Sequence, residues 1–136
     1  MMENMGLRVV RDIPYGIEPA FEDSPESAVS CDAWIHDFTM TTSDSSAVDL
    51  AASKERFEAA FARIWTGEVE DDGFNRLVFC AGLTWREIVV LRAYCKYLGQ
   101  ANIPFSENYM QDALRGHPTL ACMLVSLFHA RCDPSL

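Results

Sequence analysis

The stretch Phe74-Asn-Arg-Leu-Val-Phe-Cys-Ala-Gly-Leu-Thr-Trp-Arg-Glu-Ile-Val-Val-Leu-Arg-Ala-Tyr-Cys-Lys-Tyr-Leu-Gly-Gln-Ala-Asn-Ile-Pro-Phe-Ser106 decides how this chain folds. Its apolar residues recur at helical spacing on both sides of Gly82. Leu77, Val78 and Ala81 precede that glycine, which suits a helix stop where φ is often positive. Thr84-Trp-Arg-Glu87 reads as a capping box, the Thr84 hydroxyl taking the third residue's N–H while Glu87 reaches back. The helix opened there is predicted to run from Trp85 to about Gln100. Ile88, Leu91, Cys95 and Leu98 form its apolar face, widened by Val89, Ala93 and Tyr94, as in a core helix. Pro104 and Ser106 end the connection and cap a further helix over Glu107–Arg115, closed by Gly116. The stretch contains no acid/base pair, no metal cluster and no phosphate loop.

Downstream, Pro118 suits a first helical turn. A last helix is expected over Thr119–Arg131, with Leu120, Met123, Leu124, Leu127 and Phe128 as its stripe and Asp133-Pro134 as its stop. Upstream, helical periodicity begins near Val48 and ends at Gly67. Leu50, Phe57, Phe61, Ile64 and Trp65 line one stripe, and Lys54 and Glu58 are spaced to pair at i,i+4. The acidic run Glu68–Asp72 then complements the dipole of the helix that follows. Gly6–Tyr15 is β-rich, with Val9 and Val10 facing opposite ways and Pro14 limiting the strand. Cys31–Met40 reads as a second strand, antiparallel to the first, with Trp34, His36 and Phe38 on one face and Ala33, Ile35 and Asp37 on the other. The Pro-, Ser- and acid-rich residues 16–30 between them read as a mobile loop, and Thr41–Ser46 as a polar break. Two strands alone are marginal in water, so the ribbon calls for a further strand, a helix or a partner chain.

At 136 residues the chain is of single-domain length, and 49% apolar content argues against global disorder. No apolar run approaches the ~18 residues of a membrane span, and Met1–Met5 carries no basic or apolar signal features. The five cysteines include no Cys-x-x-Cys pair, and a reduced cytoplasm fits them best. Residues 1–72 hold 16 acids and 5 bases, a net of −11, whereas residues 73–136 hold 4 acids and 6 bases, a net of +2. A chain of net charge −9 repels phosphate backbones, which disfavours nucleic acid as a partner.

A nicotinamide-binding fold needs a glycine-rich turn, and none of the seven glycines stands in Gly-x-Gly-x-x-Gly spacing. The two lysines, Lys54 and Lys96, sit on helical patterns as polar partners rather than as activated bases. His117, Cys122, His129 and Cys132 offer one close ligand pair where structural zinc sites pair ligands twice over. His36 reads as a half-buried histidine between aromatics. Trp85 reads as the anchor of its helix start, with an interface hot spot as the alternative. Tyr94, Tyr97 and Tyr109 read as packing and rim residues. On this reading the chain has no catalytic, cofactor-binding or metal residues.

Several phrases carry a family resemblance: Phe74-Asn-Arg-Leu77, Gly82-Leu-Thr-Trp-Arg-Glu87, Leu91-Arg-Ala-Tyr-Cys-Lys-Tyr-Leu98, Gln100, Ile103-Pro-Phe-Ser106 and Phe128-His-Ala-Arg-Cys-Asp-Pro134. With Asn4–Tyr15 and Trp34–Phe38, they resemble the non-catalytic N-terminal region of the large multidomain NAD-dependent glutamate dehydrogenases of bacteria. Asp12, Gly99 and Cys132 depart from that pattern, and none of them bears on a catalytic role. The resemblance implies a fragment of a longer polypeptide, cut between the tail of an ACT-like first helix and the catalytic segments. It implies a structural or regulatory role in an enzyme that deaminates L-glutamate, with NAD bound outside this segment. The implied partners are other domains and subunits of the same enzyme, including a homo-oligomer through the β-ribbon. An independent amino-acid-sensing ACT-like module and a helical protein–protein interaction domain are the alternative functions. The expected fold class is α+β, predominantly α. A partial ACT-like β region, residues 1–44, precedes a helical domain, residues 45–136, of about five helices packed as an orthogonal bundle.

Overall fold

The computed structural model describes residues 1–17, 33–43 and 49–132. The expected loop from residue 18 onward, Cys31, residues 44–46 of the polar break, the helix start at Val48 and the stop at Asp133-Pro134 lie outside them. Two strands, β1 (Leu7–Ile17) and β2 (Ala33–Thr42), precede five helices: α1 (Leu50–Trp65), α2 (Leu77–Cys80), α3 (Trp85–Gln100), α4 (Glu107–Gly116) and α5 (Pro118–Cys132). The class is α+β and mostly helical, as the sequence patterns imply.

β1 and β2 pair antiparallel, from Leu7 opposite Thr42 to Ile17 opposite Ala33. The register shifts between Val9 and Arg11. This bulge takes up Val10 and sets Asp12, Pro14 and Gly16 across from Phe38, His36 and Trp34. Pro14 does not end β1, which continues to Ile17. Among the described residues each strand has only one neighbour, and such an edge position tolerates the missing N–H.

The core lies among the helices, and Phe74, Met5, Leu77, Ile88, Leu91 and Val78 are its largest fully buried side chains. Met5 comes from the turn before β1 and packs into the helical cluster. Leu7, at the ribbon's base, is also buried, whereas most of the ribbon beyond it is exposed.

Asp49 caps α1, its carboxylate accepting from the Ala52 amide at 3.2 Å. Of the expected stripe, Ile64 is buried and Phe57 and Phe61 are partly so. The side chain of Leu50 lies outside the described set. Trp65 departs from it: it is 73% exposed and stacks on Phe61 at 6.0 Å. The small residues Ser53 and Ala60 occupy the buried face instead, and they let the helix approach its neighbours closely. α5 shows the same departure. Ala121 and Val125 face inward, while Leu120, Met123 and Leu127 of the expected stripe are exposed. Because that inner face is small, α5 sits close enough for the Cys122 thiol to donate to the Ala81 carbonyl at 3.4 Å.

The helix expected after the acidic run is a 3₁₀ turn, Gly73–Arg76, leading into the short α2. Gly82, with φ of 64°, makes the left-handed turn out of α2. α3 begins at Thr84 with both halves of its capping box formed, and Ser106 caps α4.

Candidate functional site

The acidic run does more than complement a helix dipole. Only Asp72 caps the following turn, accepting from the Phe74 amide at 3.0 Å. Glu68 pairs with Arg63, and that hydrogen bond holds the Glu68 carboxyl below its ordinary range. Glu70 pairs with Lys96, which lowers its carboxyl in the same way. Asp71 accepts from the Asn4 side-chain amide at 3.0 Å. Asp72 also receives Arg92, the one basic side chain among the described residues that is buried. The Arg92 guanidinium additionally donates to Asn75 Oδ1 at 3.1 Å and to the Glu70 carbonyl at 3.4 Å. Arg92 sits within an apolar pattern and carries no motif of its own, so sequence reasoning missed it.

The lysines are engaged as polar partners. Lys54 lies 3.8 Å from Glu58, and Lys96 bonds Glu70. The four residues considered for metal are spread out in role. His117 ends α4 and the Cys122 thiol bonds Ala81, while the His129 ring meets Phe128 edge-on at 5.7 Å and Cys132 is exposed. Among the described residues no three His, Cys, Asp or Glu side chains converge to hold a metal ion. Trp85 is partly buried against the core, flanked by the guanidiniums of Arg63 at 5.4 Å and Arg86 at 4.7 Å. Tyr94 meets Phe128 edge-on at 6.2 Å, Tyr109 stacks on Phe105 at 5.0 Å, and Tyr97 is exposed.

The ribbon presents a candidate contact surface. On one face, His36 bonds Asp12 at 2.9 Å and stacks on Phe38 at 5.7 Å. The Trp34 ring lies across Gly16, where a Cβ would sit 3.5 Å from it. Trp34 is nevertheless 59% exposed, and Tyr15, Ile17 and Ile35 are exposed on the opposite face. Both faces of the ribbon thus leave large apolar side chains open among the described residues, which is the condition of a sheet awaiting cover. At its base, Leu7, Phe38 and Met40 meet Phe57 and Phe79 around an apolar cleft of about 410 Å³.

No helix among the described residues is long and apolar enough to cross a membrane. Two family models match the chain: "Glutamate dehydrogenase, ACT3 domain" over residues 1–53 and "Glutamate dehydrogenase, helical motif 3" over residues 69–134. An NAD-specific glutamate dehydrogenase of Halomonas elongata is 42% identical over 99% of the chain. Those of Pseudomonas aeruginosa and Mycobacterium tuberculosis are 39% and 37% identical over 96% and 98% of it. The chain spans 8% of the length of each of these relatives. No solved structure matches it. The chain belongs to the NAD-specific glutamate dehydrogenase family, matching its ACT3 domain and helical motif 3.

Proposed function

We propose that the chain is a non-catalytic structural and regulatory segment of an NAD-dependent glutamate dehydrogenase. The parent enzyme converts L-glutamate, NAD and water to 2-oxoglutarate, ammonium and NADH in the cytoplasm, with NAD bound outside this segment. The consecutive match to an ACT3 domain and a helical motif, residues 1–53 and 69–134, carries this reading. The engagement of Lys54 and Lys96 in glutamate pairs supports it, because neither lysine stands ready as a base. The division into a β region over residues 1–44 and a helical domain over 45–136 belongs to the same proposal. The ribbon is the contact surface, taking another domain of the enzyme or the same ribbon of a second subunit onto its open edge and faces.

The test is the double variant Trp34→Ser, Ile35→Ser in the full-length enzyme. Assembly, followed by light scattering, is expected to weaken, while the KM for NAD stays within about twofold. Unchanged assembly and kinetics would sink the proposal, and so would glutamate-dependent NAD reduction by the 136-residue chain alone.

A further inference from the structure

We propose that the polar cleft between the N-terminal turn, the 3₁₀ turn and α4 binds a small anion, its carboxylate or phosphate group held by Arg76 and Arg115. This inference is independent of the enzyme reading. The cleft has a volume of about 190 Å³ and is lined by Asn4, Arg76, Asn108, Gln111, Asp112 and Arg115, together with Gly73. That is room for a small metabolite and too little for a drug-sized ligand.

The four α4 residues stand at i, i+3, i+4 and i+7, so one helix face supplies them all. Arg76 faces them from the 3₁₀ turn, and its position is built in. Its aliphatic stem crosses Gly6, where a Cβ would lie 3.6 Å from Arg76 Cγ, and Gly6 has φ of 81°. Its Nε donates to the Glu3 carbonyl at 3.4 Å, and among the described residues its two terminal nitrogens have no partner. Arg115 lies 3.7 Å from Asp112, beyond hydrogen-bond length, so its fork is also open. Gly73 leaves room for the Gln111 amide, which occupies the space of the missing Cβ.

Charge selects the ligand. Two guanidiniums line the cleft against one loosely held carboxylate. The neighbouring Asp71 does not line the cleft, and the Asn4 side-chain amide bonds both its carboxylate, at 3.0 Å, and its carbonyl, at 3.1 Å. Open guanidinium forks match carboxylate and phosphate oxygens in pairs, which makes an anion the complementary guest.

Calorimetry of the 136-residue chain with succinate and with inorganic phosphate, at matched ionic strength, tests the site. Saturable binding of succinate, of phosphate or of both is expected, and the comparison tells which oxyanion chemistry the cleft takes. Arg115→Gln and Arg76→Gln should each weaken binding about tenfold or more. Arg86→Gln, which alters the stack on Trp85 and does not line the cleft, should leave binding unchanged. Amide shift mapping on the unmodified chain should place the anion at Gly73, Asn108 and Gln111, a readout that does not depend on the variants folding. No saturable binding of either anion, shifts that map elsewhere, or an affinity in both arginine variants unchanged from that of the unmodified chain would overturn the proposal.

Discussion

Arg92 and Asp72 form a two-point ion pair, with Nε 2.6 Å and Nη2 2.9 Å from the carboxylate oxygens. The Arg92 side chain is only 5% exposed, and that of Asp72 is 18% exposed. The pair ties the start of the 3₁₀ turn to the middle of α3. Because Arg92 also bonds Asn75 and the Glu70 carbonyl, its removal leaves several acceptors unmet. Arg92→Met is expected to lower the unfolding free energy by about 3 kcal/mol in urea titrations. The double variant with Asp72→Asn should cost less than the sum of the two single changes, since the residues share one interaction. Simple additivity would show that the pair does not couple them.

The pairing of Glu70 with Lys96 sets an acid limit. Its folded carboxyl titrates below the ordinary value, chiefly through the Lys96 hydrogen bond and then through the charges of Lys96 and Arg92. A depressed carboxyl stabilises the fold above the unfolded value of about 4.3 and loses that contribution as pH falls through the folded value. Glu70→Gln should therefore reduce stability at pH 7 and flatten its decline on the acid side of about pH 4.3. A variant that retains the full acid-limb slope would assign the effect to other carboxylates.

The α3 cap is testable by comparing a variant that loses the Thr84 hydroxyl with one that keeps it and loses only the methyl. The Thr84 hydroxyl accepts from the Glu87 amide at 3.4 Å and lies 2.8 Å from Glu87 Oε2, while the Thr84 amide donates to that carboxylate at 2.7 Å. Thr84→Ala is expected to cost about 1 kcal/mol, and Thr84→Ser to restore most of it. The midpoint of chemical denaturation reads both; equal losses for Ala and Ser would mean that the hydroxyl is not the cap.

The features legible in the sequence are those encoded locally. Gly82, Thr84 and Glu87 announce a stop and a start within six residues, and the structure places α3 over Trp85–Gln100 as that punctuation requires. The helix faces were harder to read. On α1 and α5 the large residues Trp65, Leu120 and Met123 point outward while Ala60 and Ala121 are buried. Periodicity locates an apolar arc, but the width and closeness of neighbouring helices decide which edge of it turns inward. The polar cleft was invisible for a related reason. Its parts come from Asn4, Arg76 and α4, and only tertiary packing brings them together.

The cysteines rank by burial. Cys132 at the end of α5 is exposed, Cys80 and Cys122 are intermediate, and Cys95 is buried in the core. Burial pushes the Cys95 thiol up, and the nearby carboxylates of Glu107 and Asp72 push it in the same direction. Since the thiolate is the reactive form, Cys95 is protected both by access and by protonation. Timed alkylation with iodoacetamide and peptide mapping should therefore show Cys132 modified first and Cys95 last among these four, with Cys95 labelled only as fast as the chain opens. The linkage runs toward alkali: a raised folded value leaves stability intact below the unfolded thiol value of about 8.5 and erodes it as pH rises beyond. Cys95→Ala should remove that alkaline erosion while costing packing energy at neutral pH. Alkylation of Cys95 within about threefold of the rate at Cys132 in the native chain would contradict its burial in the α3 core face.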